Sequence, residues 1–192
     1  MSNEINYHPL TAEYYQQVID LGNSVHGDGY LDSNKIVLWT NKGISQINGE
    51  TVNTNFVALH QDKVVGFRIT YSAKQWPIDQ WCSPSLWQVP QEQCCYFKCN
   101  TVNEQYRGKG IGKKLLMLAI EAAKKQGAVA GISHLWKQSP NNSAVKYFTH
   151  CGGKHIASHV GKWNEESKQG YCCVICGYDC QCEAAEMIIY FD

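Results

Sequence analysis

Two hydrophobic periods alternate along the chain, and the switches between them predict the elements. Ile5 to His8 reads as a short strand. Thr11 is placed to cap a helix in which Tyr14, Val18, Ile19 and Leu21 recur at helical spacing, with Gly22 expected to end it. A turn-rich stretch, Val25 to Asp32, leads to a second short helix over Asn34 to Thr40. Phe56 to Leu59 and Val64 to Tyr71 are β runs joined by Gln61-Asp62, a hairpin pattern. Residues 72–93 carry Trp76, Trp81 and Trp87 with Pro77, Pro84 and Pro90, which suits an ordered, packed excursion rather than regular structure. Beyond it the pattern gives a strand over Tyr96 to Val102 and a helix over Ile111 to Gln126 closed by Gly127. A strand over Ala128 to Trp136, a helix over Asn141 to Cys151 ended by Gly152-Gly153, and a last strand over Met187 to Phe191 complete it. The fold class expected is α/β (α+β) with a mixed sheet.

Length and charge narrow the picture. The 192 residues carry 17 Lys+Arg and 17 Asp+Glu, with 44% hydrophobic and 18% charged residues. This is one domain over 1–192, with neither the basic field that nucleic acid or an anionic membrane requires nor a membrane-spanning run. No nucleic-acid or membrane partner is expected. The opening Met1 to Tyr7 lacks a basic-then-apolar leader, so a cytoplasmic protein is expected. Its ten cysteines then read as thiols rather than disulfides. Cys82, Cys94, Cys95, Cys99 and Cys151 sit in apolar segments as core residues, and the other five fall between Cys172 and Cys182.

Chemistry concentrates between Val102 and Leu115, where Tyr106-Arg107-Gly108-Lys109-Gly110-Ile111-Gly112-Lys113-Lys114 joins a strand to a helix. Glycines at alternate positions let backbone N–H groups approach an anion, and a helix N-terminus adds about half a positive charge. The pattern fits a phosphate or pyrophosphate cradle; a plain glycine turn is the other reading. A P-loop would need Gly at Arg107 and Ser or Thr at Lys114, and a dinucleotide fingerprint would need Gly at Lys113.

Arg107, Gly110 and Gly112, followed by Leu115-Leu116, resemble the acyl-CoA-binding loop of the Gcn5-related N-acetyltransferase (GNAT) superfamily. Asn141-Asn142-Ser143-Ala144 through Phe148, then Gly152, is similar to that family's Asn-x-x-Ala helix beside pantetheine. The resemblance implies a mostly antiparallel sheet of about seven strands flanked by helices, with a splayed parallel strand pair holding CoA. It implies acetyl-CoA as cosubstrate, a small-molecule or exposed amino-group acceptor attacked directly, and a fold that often forms homodimers. By position, Asn100, Thr101 and Val102 would lie along pantetheine and Gly108, Lys109, Gly110, Ile111, Gly112 and Lys113 around the pyrophosphate, with Arg107, Asn141 and Phe148 also at the cofactor. The family's frequent tyrosine acid would fall at Phe148, leaving Tyr147 one residue away and about 100° round the helix.

For the base, His134 is a candidate because a strand places it on the face of Trp136 and imidazole titrates near operating pH; a packed histidine is the plainer reading. His26 with Asp28 is a second candidate, against a surface turn at Gly27-Asp28-Gly29. Cys173-x-x-Cys176-Gly177-x-x-Cys180-x-Cys182 is similar to a zinc knuckle and brings four thiols within reach of one metal; packed reduced thiols and a redox pair are the alternatives. Two functional classes follow: an N-acetyltransferase, or a non-catalytic CoA-binding module motivated by Phe148 and the thiol cluster.

Overall fold

In the computed structural model, which describes residues 4–192, strands and helices follow the hydrophobic pattern through most of the chain. Met1, Ser2 and Asn3, part of the opening segment read for a leader, lie outside the described residues. The elements in order are β1 (Asn6–Pro9), α1 (Tyr15–His26), α2 (Ser33–Asn41), β2 (Ile44–Ile47), β3 (Glu50–Asn53), β4 (Phe56–His60) and β5 (Lys63–Tyr71). There follow β6 (Cys94–Val102), α3 (Ile111–Lys125), β7 (Ala130–Trp136), α4 (Ser143–His150), β8 (Lys154–Val160), α5 (Asn164–Lys168) and β9 (Glu183–Tyr190). The described residues form a seven-stranded sheet in the order β1-β4-β5-β6-β7-β9-β8, antiparallel except for β6 and β7, and a separate β2–β3 hairpin.

Alternation along the strands feeds two cores. One face buries Phe67, Ile69, Ile132 and Ile188 under Val18 and Leu21 of α1, Ile36 of α2 and the excursion's Trp76 and Trp87. The other packs Cys95, Phe97, Met187 and Ile189 against Leu116, Ala119, Ile120 and Ala123 of α3 and Phe148 of α4. Helices thus cover both faces, and the parallel pair lies at the centre, where a cleft can open.

Several expectations need correction. Gly22 does not end α1, which runs four residues further to His26: a Cβ at Gly22 would lie 2.8 Å from the Leu31 side chain, so the glycine permits close packing inside the helix. Thr11 caps no α-helix, its hydroxyl bonding Glu13 instead. β9 begins at Glu183 because Ala184, Ala185 and Glu186, weak strand formers, are buried between β7 and β8. Strands β2, β3 and β8 and the short α5 were absent from the sequence reading. For β2–β3 the Asn48-Gly49 turn, both residues with positive φ, was the signal to use. Of the cysteines expected in the core, Cys94, Cys95 and Cys99 are buried, whereas Cys82 and Cys151 are half-buried.

The excursion at 72–93 packs as expected and is pinned by a carboxylate. Glu186, fully buried on β9, accepts from Ser83 N–H at 2.8 Å and from Trp87 Nε1–H at 2.7 Å on one oxygen, and from His159 Nε2 at 2.9 Å on the other. Burial raises the affinity of this carboxyl for its proton, but the three donors outweigh it and hold the group below the usual carboxylate range. Trp76 stacks on Tyr96 with centroids 4.7 Å apart.

Candidate active site

β6 and β7 pair only from Cys94–Ala130 to Tyr96–Ile132 and then diverge. Two features force the split. The β5–β6 register shifts at Ile69/Thr70, leaving Lys98 as an extra residue that bends β6, and the Ser133 hydroxyl donates to Phe97 C=O at 3.0 Å, wedging a side chain where the next ladder bond would form. Beyond this point the β7-facing edge of β6, through Asn100, Thr101 and Val102, has no strand partner among the described residues. A cleft of about 910 Å³ opens there.

At one end of the cleft, the loop after β6 turns into α3. Asn103 caps the first turn by accepting from Gln105 N–H at 3.0 Å, and Arg107 Nε donates back to Val102 C=O at 3.2 Å. Gly108 and Gly110 take φ of 75° and 77°, a left-handed backbone that demands glycine even though nothing lies within 4 Å of where a Cβ would be. Gly110 is the N-cap of α3 and offers no side chain, so the N–H groups from Gly108 through Lys113 donate to no partner among the described residues. Six free amides in sequence, a helix N-terminus and the charges of Arg107 and Lys113 make an anion cradle.

α4 supplies the opposite wall. Asn141 and Asn142 are left-handed, with φ of 56° and 54°, so the helix starts at Ser143 and its phase differs from a count begun at Asn141. As a result Tyr147 faces the cleft and Phe148 faces the core, fully buried, with Phe97 edge-on at 5.9 Å. Neither Phe148 nor Asn141, both expected at the cofactor, lines the cleft. Arg68 of β5, 1% exposed, donates from Nη2 to the Tyr147 hydroxyl oxygen through a short hydrogen bond, leaving that O–H free to donate elsewhere. Burial raises the Tyr147 pKa and the guanidinium opposes the rise.

The far end of the cleft is aromatic. Tyr30, Trp39, Trp136, Trp163 and Tyr171 line it, with Glu166 and the thiols of Cys173, Cys180 and Cys182. His134 reaches this wall, but both ring nitrogens are engaged: Nδ1 with the Tyr96 hydroxyl at 3.0 Å and Nε2 with Trp81 C=O at 2.5 Å. Because Trp81 C=O can only accept, Nε2 carries the proton and the Nδ1 lone pair takes the Tyr96 O–H. No lone pair remains for an incoming amine, so the expected base becomes a holding residue. His26 uses only Nε2, at 2.9 Å from Thr101 Oγ1, and its Nδ1 has no partner among the described residues. Burial, with Arg107 adding to it, pulls the His26 pKa down to about 4. Asp28 is exposed and holds the backbone instead, its C=O accepting from Cys172 N–H at 2.9 Å.

A splayed parallel pair, a free-amide loop into a helix and a tyrosine on the facing helix form one connected site. The model of the Acetyltransferase (GNAT) family matches residues 18–153. The chain belongs to the GNAT family. No curated protein sequence matches it. Among solved structures it is similar to the ribosomal-protein-S18-alanine N-acetyltransferase of Escherichia coli, at 12% identity and TM-score 0.66 over 97% of this chain and 94% of that one. It is similar to the IAA acetyltransferase of Bacillus cereus, at 16% identity and TM-score 0.66 over 98% and 100%. A third is a putative acetyltransferase of Salmonella typhimurium with its cofactor acetyl-CoA, at 14% identity and TM-score 0.66 over 98% and 94%.

Within this GNAT fold most of the positions carried over by resemblance converge. Asn100, Thr101, Val102, Arg107, Gly108, Gly110, Ile111, Gly112, Lys113 and Tyr147 line this cleft together. Lys109 does not line it: its side chain lies over the Tyr106 ring at 4.8 Å beside a smaller depression. Arg68, Tyr171 and Glu166 were not legible in the sequence, because no motif marks them and only the fold brings them to the cleft.

Proposed function

We propose that the protein is an acetyl-CoA-dependent N-acetyltransferase whose acceptor is a primary amine carried on an apolar or aromatic body. The observation that carries this reading is the meeting, in one cleft, of the unpaired β6 edge with the free amides of Gly108 to Lys113. Acetyl-CoA supplies the acyl group as a thioester. The loop amides, Arg107 and Lys113 fit the diphosphate, and the β6 edge from Phe97 to Val102 fits an amide-bearing chain and an acyl oxygen needing an N–H donor. Neutral amine then attacks the carbonyl carbon: the C–N bond forms, the C–S bond breaks, and the amine loses a proton as the sulfur leaves.

For those protons the chain offers two groups. With Nε2–H donated to Thr101, His26 Nδ1 is a lone pair at the acceptor end, neutral through the physiological range because its pKa is about 4. Tyr147 keeps its own proton and donates toward the leaving sulfur, while Arg68 steadies the charge behind it. Tyr147 in the cleft removes the motive for a non-catalytic reading based on Phe148.

Thermal unfolding with and without acetyl-CoA is the first test. At a ligand concentration of 100 Kd the native state gains about 2.7 kcal/mol, roughly 5–10 °C in Tm for a chain of this size. Release of free CoA thiol over a panel of aromatic, aliphatic and polyamine acceptors, with the product identified by mass, then tests transfer. An unchanged Tm at millimolar acetyl-CoA overturns the proposal; binding with no turnover on any amine leaves only the binding half standing.

A further inference from the structure

The β8–β9 connection, residues 161–182, brings four thiols to one point. The Sγ atoms of Cys173, Cys176, Cys180 and Cys182 lie within 4.8 Å of one another. The Cys176–Cys182 and Cys173–Cys182 separations are 3.6 Å and 3.9 Å. A tetrahedral ion with metal–sulfur bonds of about 2.3 Å has sulfur–sulfur edges of about 3.8 Å. These two separations match that edge, and the others stay within 4.8 Å.

The local backbone serves the same arrangement. Cys173 and Gly177 exchange two N–H···O=C bonds, of 3.0 and 2.9 Å, closing a tight turn that needs the positive φ of 68° at Gly177. Trp136 of β7 packs against the cluster, and Ser167 Oγ accepts Cys180 N–H at 2.9 Å. Packing alone does not require four sulfurs to converge on one point, whereas a shared ion does. Disulfides would need two close pairs, not four mutually close atoms.

We propose that Cys173, Cys176, Cys180 and Cys182 hold one zinc ion in a tetrahedral all-thiolate site, and that this ion fixes the aromatic wall of the acceptor end. On loading, four S–H bonds give way to four Zn–S bonds and the protons leave to solvent. Four protein ligands leave no open position, so the ion is structural and takes no part in acyl transfer. The second His/Glu grouping, His134, His159 and Glu186, is not a rival, because each ligand atom is already hydrogen-bonded within the protein.

The coupling to the wall runs through backbone contact. A Cβ on Gly27 would lie 1.9 Å from Cys172 O, and one on Gly29 would lie 2.4 Å from Gly170 O, so the cysteine segment lies directly on the α1–α2 loop. Tyr171 O–H donates to His26 C=O at 3.0 Å, and Trp136, packed on the thiol cluster, lines the cleft. Loosening the thiol cluster therefore frees His26, Tyr171 and Trp136 together, while the loop at 107–113 takes no part in these contacts.

The test uses the full chain, purified without a tag, added metal or chelator. Elemental analysis is expected to give one zinc per chain, released stoichiometrically to a chromogenic chelator when the thiols are modified. Cobalt substituted for the ion should show the visible bands of a tetrahedral tetrathiolate site. Cys176→Ser should lose the metal and Cys172→Ser should keep it; should Cys176→Ser fail to fold, the wild-type content and the cobalt spectrum still decide. Substoichiometric zinc, iron in its place, or zinc retained by Cys176→Ser overturns the site. Hydrogen exchange on metal-stripped protein tests the wall: protection should fall at 25–30 and 163–182 and persist at 107–113. Unchanged protection at 25–30 overturns the coupling. Neither readout depends on acetyl transfer.

Discussion

Tyr147 shows how a single side chain can be legible in kind and not in place. The sequence names a tyrosine next to the expected position, but which of Tyr147 and Phe148 faces the cleft depends on where α4 begins. Two left-handed asparagines, at φ of 56° and 54°, shift that start to Ser143. Asparagine tolerates this backbone better than most residues, yet nothing local forces it to adopt it. Arg68 is harder still, an ordinary strand residue whose meeting with Tyr147 spans 79 positions. If Tyr147 protonates the departing sulfur, Tyr147→Phe lowers kcat by roughly 10²-fold and leaves the acetyl-CoA affinity nearly unchanged. Steady-state kinetics beside calorimetric titration of CoA checks this; an unaltered kcat removes Tyr147 from the chemistry.

Elements with strong periodicity were read correctly: α3, β5, β6 and β7 bury one regular face or run. β8 was missed because it is a half-exposed edge strand whose Lys154-His155-Ile156-Ala157-Ser158-His159-Val160 carries little hydrophobic signal. The start of β9 was missed because Glu186, charged and buried, earns its place only through donors from 72–93 and β8. That network makes one carboxylate the fastener between excursion and sheet. Glu186→Gln puts an N–H where an acceptor was needed and leaves a buried donor unsatisfied, at a cost of about 2 kcal/mol. The expected loss is roughly 4–8 °C in Tm, with faster proteolysis within 72–93. A Tm within a degree of the parent would show that the excursion is held by its tryptophans alone.

At the scale of the whole molecule, two histidines, His134 in the core and the half-buried His26 at the cleft, set the response to acid. Burial holds His134 and His26 neutral down to a pKa of about 4, whereas an unfolded histidine protonates near 6.5. Between these values the unfolded chain binds more protons, so stability is complete above about pH 6.5 and is lost as pH falls toward 4. His134, 7% exposed, accounts for up to about 3 kcal/mol of that loss. Urea midpoints at pH 7.5 and 4.5 should separate accordingly, and His134→Gln should narrow the gap; equal gaps in parent and variant would sink the assignment. No helix among the described residues is long and apolar enough to cross a membrane. The mixed sheet was readable from the strand–helix alternation and its parallel pair from the family resemblance, but the roof over the aromatic end of the cleft was not, because it joins residues near 27 to residues near 172. On the proposed function, donor grip and acceptor enclosure are separate pieces of chain, 100–113 with α4 on one side of the cleft and 25–39 with 163–182 on the other. Transplanting the second set from a cousin with different tastes should redirect which nitrogen is modified while the nucleotide handle stays as it was.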